Sequence, residues 1–126
     1  MGYSNTYTTE RVKTHAELLA IVATARDKKS KPLQNNTRAE LRGDDVAIKL
    51  HDTDVITVNT SNVYTLNSGG WRTATTKDRI NAHSPAKISQ KAGIWYMSDN
   101  SLFYDGIQVN AAGKIIKPKS TEESNK

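Results

Sequence analysis

The spacing of apolar residues changes near Arg38, and this change limits what the chain can fold into. Before Arg38 apolar side chains recur at helical intervals, whereas after it they form short β-branched runs separated by only a few polar residues. Parallel neighbours need a long crossover connection, so strands this closely spaced must pair antiparallel. The sequence therefore predicts an N-terminal helix followed by an antiparallel sheet.

The helix is predicted over residues 16–25. Thr14 and Glu17 have the spacing of a capping box, in which a hydroxyl and a carboxylate each accept a bond from an exposed backbone N–H. An apolar stripe at helical spacing follows. Its members are Leu18, Leu19, Ile21, Val22 and Ala25. Lys28 and Lys29 come after the last turn, and Pro32 prevents the helix from continuing.

Short β-branched or alternating runs predict the strands. Residues 46–50, 55–59 and 63–66 form a meander, because the short polar side chains between them favour turns. The other predicted strands are 37–41, 87–91, 94–97, 102–104 and 107–109. Asp105 and Gly106 are typical of a type I′ hairpin turn. They are expected to join the last two of these strands.

One short helix interrupts the strands. It is predicted over residues 76–83, with Thr75 or Thr76 as the N-terminal cap and Asp78 in the first turn. Pro85 ends it. The sequence thus predicts one short helix inserted between the meander and the later strands.

These elements predict one α+β domain over residues 10–116. An N-terminal helix packs on a twisted antiparallel sheet of six to eight short strands, and the sheet is either open or rolled into a half-barrel. Residues 1–9 are expected to be a flexible N-terminus. The tail 117–126, basic and polar with few apolar side chains, is expected to be disordered.

Composition narrows the classes of function. Apolar residues make up 36% of the 126 residues, so the core is small, and a homodimer sharing apolar surface is compatible with it. The absence of cysteine excludes disulfides and thiolate metal sites. The N-terminal residues show no secretory pattern and no membrane span, so a soluble, unexported protein is expected. A net charge of +5 permits contact with phosphate or an acidic protein but is a weak nucleic-acid signature.

Residues 66–81, LNSGGWRTATTKDRIN, concentrate the candidate binding groups. Gly69 and Gly70 permit a sharp bend or a close approach of the backbone. We expect Trp71 to turn into the core while the polar side chains after it face outward, where hydroxyls, cations and helix N–H groups suit an anion. The predicted binding residues are Arg72, Thr73, Thr76, Lys77 and Arg79, with His51 close by across the sheet. A purely structural bend and cap is the alternative.

An enzymatic site has little support. His51 and Thr53 match one half of a two-histidine phosphoesterase pattern, but neither of the other histidines supplies the second half. A lone imidazole lacks the partner that general acid–base work on a phosphate needs. Four aspartates near one predicted hairpin lack calcium-loop spacing. They are Asp44, Asp45, Asp52 and Asp54. No catalytic residue, metal or cofactor is therefore predicted, and phosphodiester cleavage is the least favoured alternative.

Four segments resemble a family of small tailed-bacteriophage proteins. They are PLQNNTR (32–38), LHDTDVITV (50–58), LNSGGWRTATTKDRIN (66–81) and WYM…LFYDGIQV (95–109). The shared elements are the asparagine-threonine-arginine run, the leucine-histidine-x-threonine-aspartate strand, the glycine-glycine-tryptophan-arginine block and the aspartate-glycine turn. The resemblance covers roughly residues 30–110. It implies a phage origin and a related architecture, and it implies no catalytic residues.

Two binding functions follow as expectations. In the first, a non-enzymatic phage protein acts in the bacterial host cytoplasm by binding and modulating a host or phage protein that presents an acidic surface, as in host takeover or anti-defence. In the second, a basic, aromatic-bearing sheet face binds nucleic acid. The stacking residues would be Trp71, Tyr96 and Tyr104, and the phosphate contacts Arg72, Lys77, Arg79 and Lys91.

Overall fold

Two helices and nine strands form the part of the chain that the computed structural model describes, residues 13–34 and 36–116. The helices are α1 (His15–Ala23) and α2 (Ala74–His83). The strands are β1 (Ser30–Gln34), β2 (Thr37–Arg42), β3 (Asp45–Leu50), β4 (Thr53–Val58), β5 (Tyr64–Leu66), β6 (Ser89–Lys91), β7 (Ile94–Tyr96), β8 (Ile107–Val109) and β9 (Ile115–Ile116). The predictions for 1–9 and 117–126 lie outside the described residues.

Seven strands form one antiparallel sheet in the order β1-β2-β3-β4-β5-β8-β9, and β6 and β7 form a separate two-stranded sheet. The predicted meander is confirmed, since β3 pairs with β4 and β4 with β5, both antiparallel. The large sheet has two outer strands, β1 and β9, so it is not a closed barrel. The α+β prediction with six to eight strands in the sheet is confirmed.

The N-terminal helix has the predicted capping box. Thr14 Oγ1 accepts a hydrogen bond from Glu17 N at 3.2 Å, and Glu17 Oε1 accepts one from Thr14 N at 2.8 Å. The helix runs over His15–Ala23 rather than 16–25 and is nine residues long. So short a helix is marginal in water by itself, and its packing on the sheet stabilises it.

Three long-range hydrogen bonds fix α1 to the sheet. The Tyr64 hydroxyl donates to the Lys13 carbonyl at 2.7 Å, and His15 N donates to Asn62 Oδ1 at 2.8 Å. The buried His15 ring donates from Nε2 to the carbonyl of Asp44 at 2.6 Å. The buried face of α1 consists of His15, Leu18 and Val22. Leu19, which the predicted stripe included, is 38% exposed.

A β-bulge interrupts the pairing of β3 with β4. Ile48 pairs with Ile56 and Lys49 with Asp54, so Val55 is an extra residue on β4. A bulge bends its strand and lets two successive side chains point toward one side. Val55 and Ile56 are accordingly both fully buried. The bulge brings Val55 to the pocket described below.

The inserted helix begins earlier than predicted. Thr73, in an extended conformation, is the N-cap, and its Oγ1 accepts from Thr76 N at 3.2 Å. The predicted caps Thr75 and Thr76 instead lie inside α2, and Asp78 is not in its first turn. Each of the threonines at 73, 75 and 76 can cap a helix, so the local sequence does not choose among them. The C-terminal end of the helix agrees with the prediction.

The Asp105-Gly106 pair forms a turn but not the predicted hairpin. Ile107 N donates to the Tyr104 carbonyl at 3.1 Å, which closes a turn, but of the two central residues only Gly106 has a positive φ, +97°. β8 pairs with β5 and β9, not with the residues before the turn. The Asp105 carboxylate is hydrogen-bonded to Ser68, and this tertiary contact overrides the local hairpin preference.

The small sheet is shorter than the sequence predicts. β6 begins at Ser89, two residues later than expected, and residues 102–104 form no strand; Leu102 makes only an isolated bridge to Tyr96. The predicted turn at Ala92 and Gly93 is present, with φ of +54° and +80°. Three-residue strands leave little periodicity in the sequence, which explains the inexact boundaries.

Two strands of the large sheet were not predicted. β1 contains Pro32, which lacks a backbone N–H and argues against a central strand. The structure places it at an outer position, where proline is tolerated. The other outer strand, β9 at Ile115–Ile116, is only two residues long, too short for a periodic pattern.

Neither helix of the described residues is long and apolar enough to cross a membrane.

Stability should depend on pH through His83. Burial lowers the pKa of this imidazole to about 4, and the nearby positive charge of Arg79 adds to the shift. An unfolded histidine titrates near pH 6.5, so between pH 6.5 and 4 the unfolded state binds more protons than the folded state. The free energy of unfolding should therefore be highest above pH 6.5. It should fall by up to roughly 3 kcal/mol as the pH drops toward 4.

Urea denaturation at several pH values across this window checks the dependence, with His83→Gln as the control that cannot titrate. The variant should lose most of the slope between pH 6.5 and 4. An equally steep slope in His83→Gln would assign the dependence to another group.

Candidate functional site

A tight turn opens the glycine-rich segment. Trp71 N donates to the Ser68 carbonyl at 2.9 Å, and Gly69 and Gly70 between them have φ of +64° and +86°. Two successive positive φ values are the type I′ pattern, which glycine adopts without strain. The bend predicted at the glycine pair is thus confirmed.

The two glycines differ in their surroundings. A Cβ atom at Gly69 would lie 2.7 Å from Thr53 Cγ2 and 2.8 Å from Thr53 Oγ1, whereas one at Gly70 would meet nothing within 4 Å. The first glycine therefore allows the turn to approach the start of β4 closely. The second is required only by the backbone conformation.

Trp71 points outward, contrary to the sequence prediction. Its indole is 65% exposed, while Trp95 is 1% exposed and fills the core position. Trp95 packs on Phe103 with ring centroids 5.3 Å apart. The chain has two tryptophans, and side-chain size alone did not distinguish the buried one from the exposed one.

Arg72 points toward this aromatic pair and is not turned freely outward as predicted. Its guanidinium carbon lies 5.2 Å from the centroid of Trp95 and 4.9 Å from that of Phe103. Arg72 Nε donates to Ser68 Oγ at 2.9 Å, and Nη2 lies 3.7 Å from Asp105 Oδ1. The side chain remains 40% exposed, but its charged group is engaged within the fold.

Asp105 holds the glycine turn to the turn before β8. Its Oδ1 accepts from both the backbone N and the hydroxyl of Ser68, at 2.8 Å each. Gly106 N donates to the carbonyl of Leu66 at 2.7 Å. Ser68 is fully buried, so these bonds satisfy polar groups that would otherwise be costly to bury. These contacts fix the chain on the N-terminal side of Trp71.

A pocket of about 460 Å³ lies beside this turn. We call it the Trp71 pocket. It is lined by Leu50, His51, Asp52, Thr53, Val55, Ser68, Trp71, Thr73, Thr75 and Thr76. Three parts of the chain meet there: the β3–β4 connection, the glycine turn and the start of α2. Leu50 and Val55 provide buried apolar surface.

The structure brings together three of the predicted binding residues. His51, Thr73 and Thr76 line the Trp71 pocket with Trp71 itself. His51 has a φ of +56° at the end of β3 and is exposed. Thr76 is buried, and its hydroxyl lies 3.0 Å from that of Thr73. The expected proximity of His51 to the glycine-rich block is therefore confirmed.

The predicted cations do not line this pocket. Lys77 Nζ donates to Gln90 Oε1 at 3.1 Å. Arg79 Nε donates to Thr37 Oγ1 at 2.9 Å, and Arg79 Nη1 donates to Asp78 Oδ2 at 2.7 Å. The Arg79 side chain is only 14% exposed. With Arg72 also engaged, the block does not present the outward row of cations that the sequence suggested.

The predicted stacking residues are spread over two regions. Trp71 stands at the pocket, whereas Tyr96 and Tyr104 do not line it. Tyr104 is 49% exposed and Tyr96 is half-buried. Lys91, at the end of β6, is exposed. The described geometry therefore gives no single cluster of these rings.

Sequence reasoning missed the pocket contributions of Asp52 and Thr75. The sequence pattern predicts a turn at Asp52 and a cap at Thr75, yet both residues line the pocket. The signal in the sequence was the glycine pair itself, since glycine permits a close approach of the backbone to a neighbour. Identifying Thr53 as that neighbour required the tertiary structure.

Among residues 13–34 and 36–116, no cluster of three His, Asp or Glu side chains suited to a metal occurs.

Arg72→Ala should lower the free energy of unfolding by about 1–2 kcal/mol. The variant loses the hydrogen bond to Ser68 and the contact with two aromatic faces, while solvent screens the ion pair with Asp105. Urea denaturation measures the change. Arg26→Ala is the control: Arg26 is exposed, and a surface substitution changes stability by less than about 0.5 kcal/mol. Equal stability of the two variants would contradict the structural role.

Gly69→Ala should destabilise the fold by about 1 kcal/mol more than Gly70→Ala. Both positions have positive φ, so both variants carry the backbone strain of a left-handed alanine, but only the first meets the Thr53 side chain. Removing that side chain with Thr53→Ala should recover part of the difference in a double-mutant cycle. Equal costs at the two glycines, with no recovery, would contradict the close approach.

Comparison with known proteins supports the resemblance noted in the sequence. The family model described as the Kyanoviridae Gp96 protein matches residues 5–111. No curated protein and no solved structure matches the chain. The matched range contains both helices, strands β1 to β8 and every residue of the Trp71 pocket. Because the match covers most of the chain, this protein belongs to the Kyanoviridae Gp96 family of bacteriophage proteins.

Proposed function

We propose that this phage protein acts without catalysis in the host cytoplasm, by binding and modulating a host or phage protein whose side chain enters the Trp71 pocket. The supporting observation is the Trp71 indole, which is 65% exposed at a pocket of about 460 Å³. Tryptophan is enriched among the residues that dominate protein–protein binding energies. A large indole kept out of the core is therefore a natural anchor for a partner.

The pocket is preorganised for binding. The type I′ turn, the Thr73 cap and the bonds from Ser68 to Asp105 fix the backbone on both sides of Trp71. Binding then costs little additional ordering of the chain, and less of the interaction energy is lost. Burying an indole removes roughly 200 Å² of surface from water. Such an area can anchor an interface even when the surrounding contacts are polar.

The structure of residues 66–81 gives little support to the expectation that the partner presents an acidic surface. That expectation depended on Arg72, Lys77 and Arg79 facing outward, and all three make contacts within the fold. Exposed lysines occur elsewhere, at Lys28 and Lys29. Neither lysine lines the Trp71 pocket, so the charge of the pocket depends on its own lining residues.

The nucleic-acid alternative keeps two favourable observations, the exposed rings of Trp71 and Tyr104. The predicted phosphate contacts argue against it, because the guanidinium groups of Arg72 and Arg79 already make hydrogen bonds within the fold. Titration with single-stranded and duplex DNA at two salt concentrations separates this alternative from protein binding, because phosphate contacts weaken steeply with salt. We expect no binding that depends on Trp71.

Phosphodiester cleavage has no supporting geometry among the described residues. His51 lines the Trp71 pocket, but His15 and His83 are buried elsewhere, and neither lines it. His15 donates to a backbone carbonyl. The pairing of two imidazoles that such chemistry needs is therefore missing from this pocket, and the proposal contains no catalytic step.

Capture from infected cells tests the proposed function. Crosslinked full-length baits carrying Trp71→Ala or Leu102→Ala are compared with the wild-type bait by quantitative mass spectrometry after nuclease treatment. Leu102 is the matched control because it is 59% exposed but does not line the pocket. We expect one or a few proteins to be at least about tenfold depleted by Trp71→Ala alone, as for an interface hot spot.

Equal recovery with all three baits would contradict the assignment of the pocket as the binding site. Loss of every protein upon nuclease treatment would favour the nucleic-acid alternative instead. Thermal unfolding of both variants should match the wild type, because neither side chain is buried.

A further inference from the structure

We infer that the Trp71 pocket takes a cationic side chain, a lysine or arginine on an exposed segment of the partner protein. This rests on the proposed function and adds the chemistry of the group that enters the pocket. The inference is opposite in sign to what the net charge of +5 suggests. It depends on which ionisable groups surround the pocket and which are already paired.

The pocket lining contains one carboxylate, that of Asp52, one imidazole, that of His51, and no lysine or arginine. Asp52 is exposed at the β3–β4 connection. Among the described residues, none donates a hydrogen bond to its carboxylate or pairs with it, whereas Asp54 two positions later is held by Arg42 through two hydrogen bonds of 2.9 Å. Asp52 is therefore the acid that remains available at the pocket.

The neighbouring cations do not oppose a positive ligand strongly. Arg72 lies 3.7 Å from the Asp105 carboxylate, and Arg79 lies 2.7 Å from that of Asp78. Arg72 and Arg79 are thus each accompanied by a negative charge, while Lys77 does not line the pocket and donates to Gln90 on β6. The Asp52 carboxylate therefore gives the pocket a local negative charge, although the protein has a positive net charge. The local charge matters more than the net charge because Coulomb attraction near a surface extends over only about 10 Å in salt.

The remaining lining suits the two parts of a lysine or arginine side chain. The exposed indole of Trp71 offers a π-face, which attracts a cation. Leu50, which is 4% exposed, offers apolar surface at the pocket to the methylene stem. The exposed Thr75 hydroxyl can accept from a guanidinium or ammonium group. Indole, carboxylate and apolar floor together match a long cationic side chain better than an acid or a short apolar one.

An anion at the start of α2 is the competing occupant. The helix N-terminus alone favours negative charge, but the Thr73 hydroxyl already accepts from Thr76 N. Asp52 lines the same pocket and would repel a carboxylate or phosphate. The geometry therefore favours the cation.

Peptide mixtures with one fixed residue test this inference by NMR. Each mixture has the same randomised flanks, with arginine, citrulline, lysine, norleucine or glutamate at the centre, and is titrated into full-length ¹⁵N-labelled protein. The indole N–H of Trp71 reports the pocket, and that of Trp95, which is 1% exposed, is the internal reference. Citrulline matches the shape of arginine, and norleucine matches the four-carbon stem of lysine, both without the charge.

We expect the arginine and lysine mixtures to shift the Trp71 signal at concentrations about fivefold lower than their neutral counterparts. Asp52→Asn should reduce this preference to less than about twofold, because the carboxylate provides the charge discrimination. Asp44→Asn is the matched control, since it removes the same charge from an exposed aspartate that does not line the pocket. It should leave the preference unchanged.

The outcomes separate the inference from the proposed function. Binding of all mixtures to the pocket with equal strength, or a preference for glutamate, would overturn the cationic ligand and leave protein binding at Trp71 in place. A cation preference that stays at about fivefold in Asp52→Asn would also overturn it, since the carboxylate would then have no part in the charge recognition. If no mixture shifts the Trp71 signal at about 1 mM peptide, the pocket does not take side chains, and both the inference and the proposed site fail.

Discussion

The carboxylate of Asp105 is the group on which the candidate site depends. One of its oxygens accepts two hydrogen bonds from the buried Ser68 and lies near the Arg72 guanidinium. These contacts join the end of β5 to the turn before β8 and orient Arg72 toward the aromatic pair in the core. With the arginine directed inward, the preceding tryptophan is left at the surface. The inward orientation of Arg72 thus leaves the Trp71 indole available at the surface.

Much of the fold follows from local sequence signals. The Thr14 capping box, the meander of β3 to β5 and the insertion of a second helix each have a pattern that short stretches carry by themselves. The errors lie where tertiary contacts override those patterns. Asp105 and Gly106 have a hairpin sequence, yet Asp105 is recruited by Ser68 instead. The outer strands of the sheet were missed because one contains a proline and the other has two residues.

The candidate site was only partly predictable. The glycine pair, the threonines and His51 were identified because their residue types require a special backbone or provide polar groups. The orientations of Trp71 and Arg72 were assigned the wrong way round, since a large apolar ring is normally buried and a guanidinium normally exposed. Arginine also packs on aromatic rings, and the two rings beneath Arg72 come from residues more than twenty positions later. Asp52 likewise has the sequence pattern of an ordinary turn residue, because the groups that form the pocket around it come from distant parts of the chain.

The proline in β1 has a consequence for how copies of this protein meet one another. An open sheet ends in rows of unpaired amide and carbonyl groups, which can template the addition of further chains and lead to fibrous aggregates. Pro32 removes one donor from such a row, and Lys31 next to it adds charge at the same margin. The pairing of β1 with β2 is also irregular between Pro32 and Gln34. These features discourage the addition of a further strand at the β1 edge of the sheet.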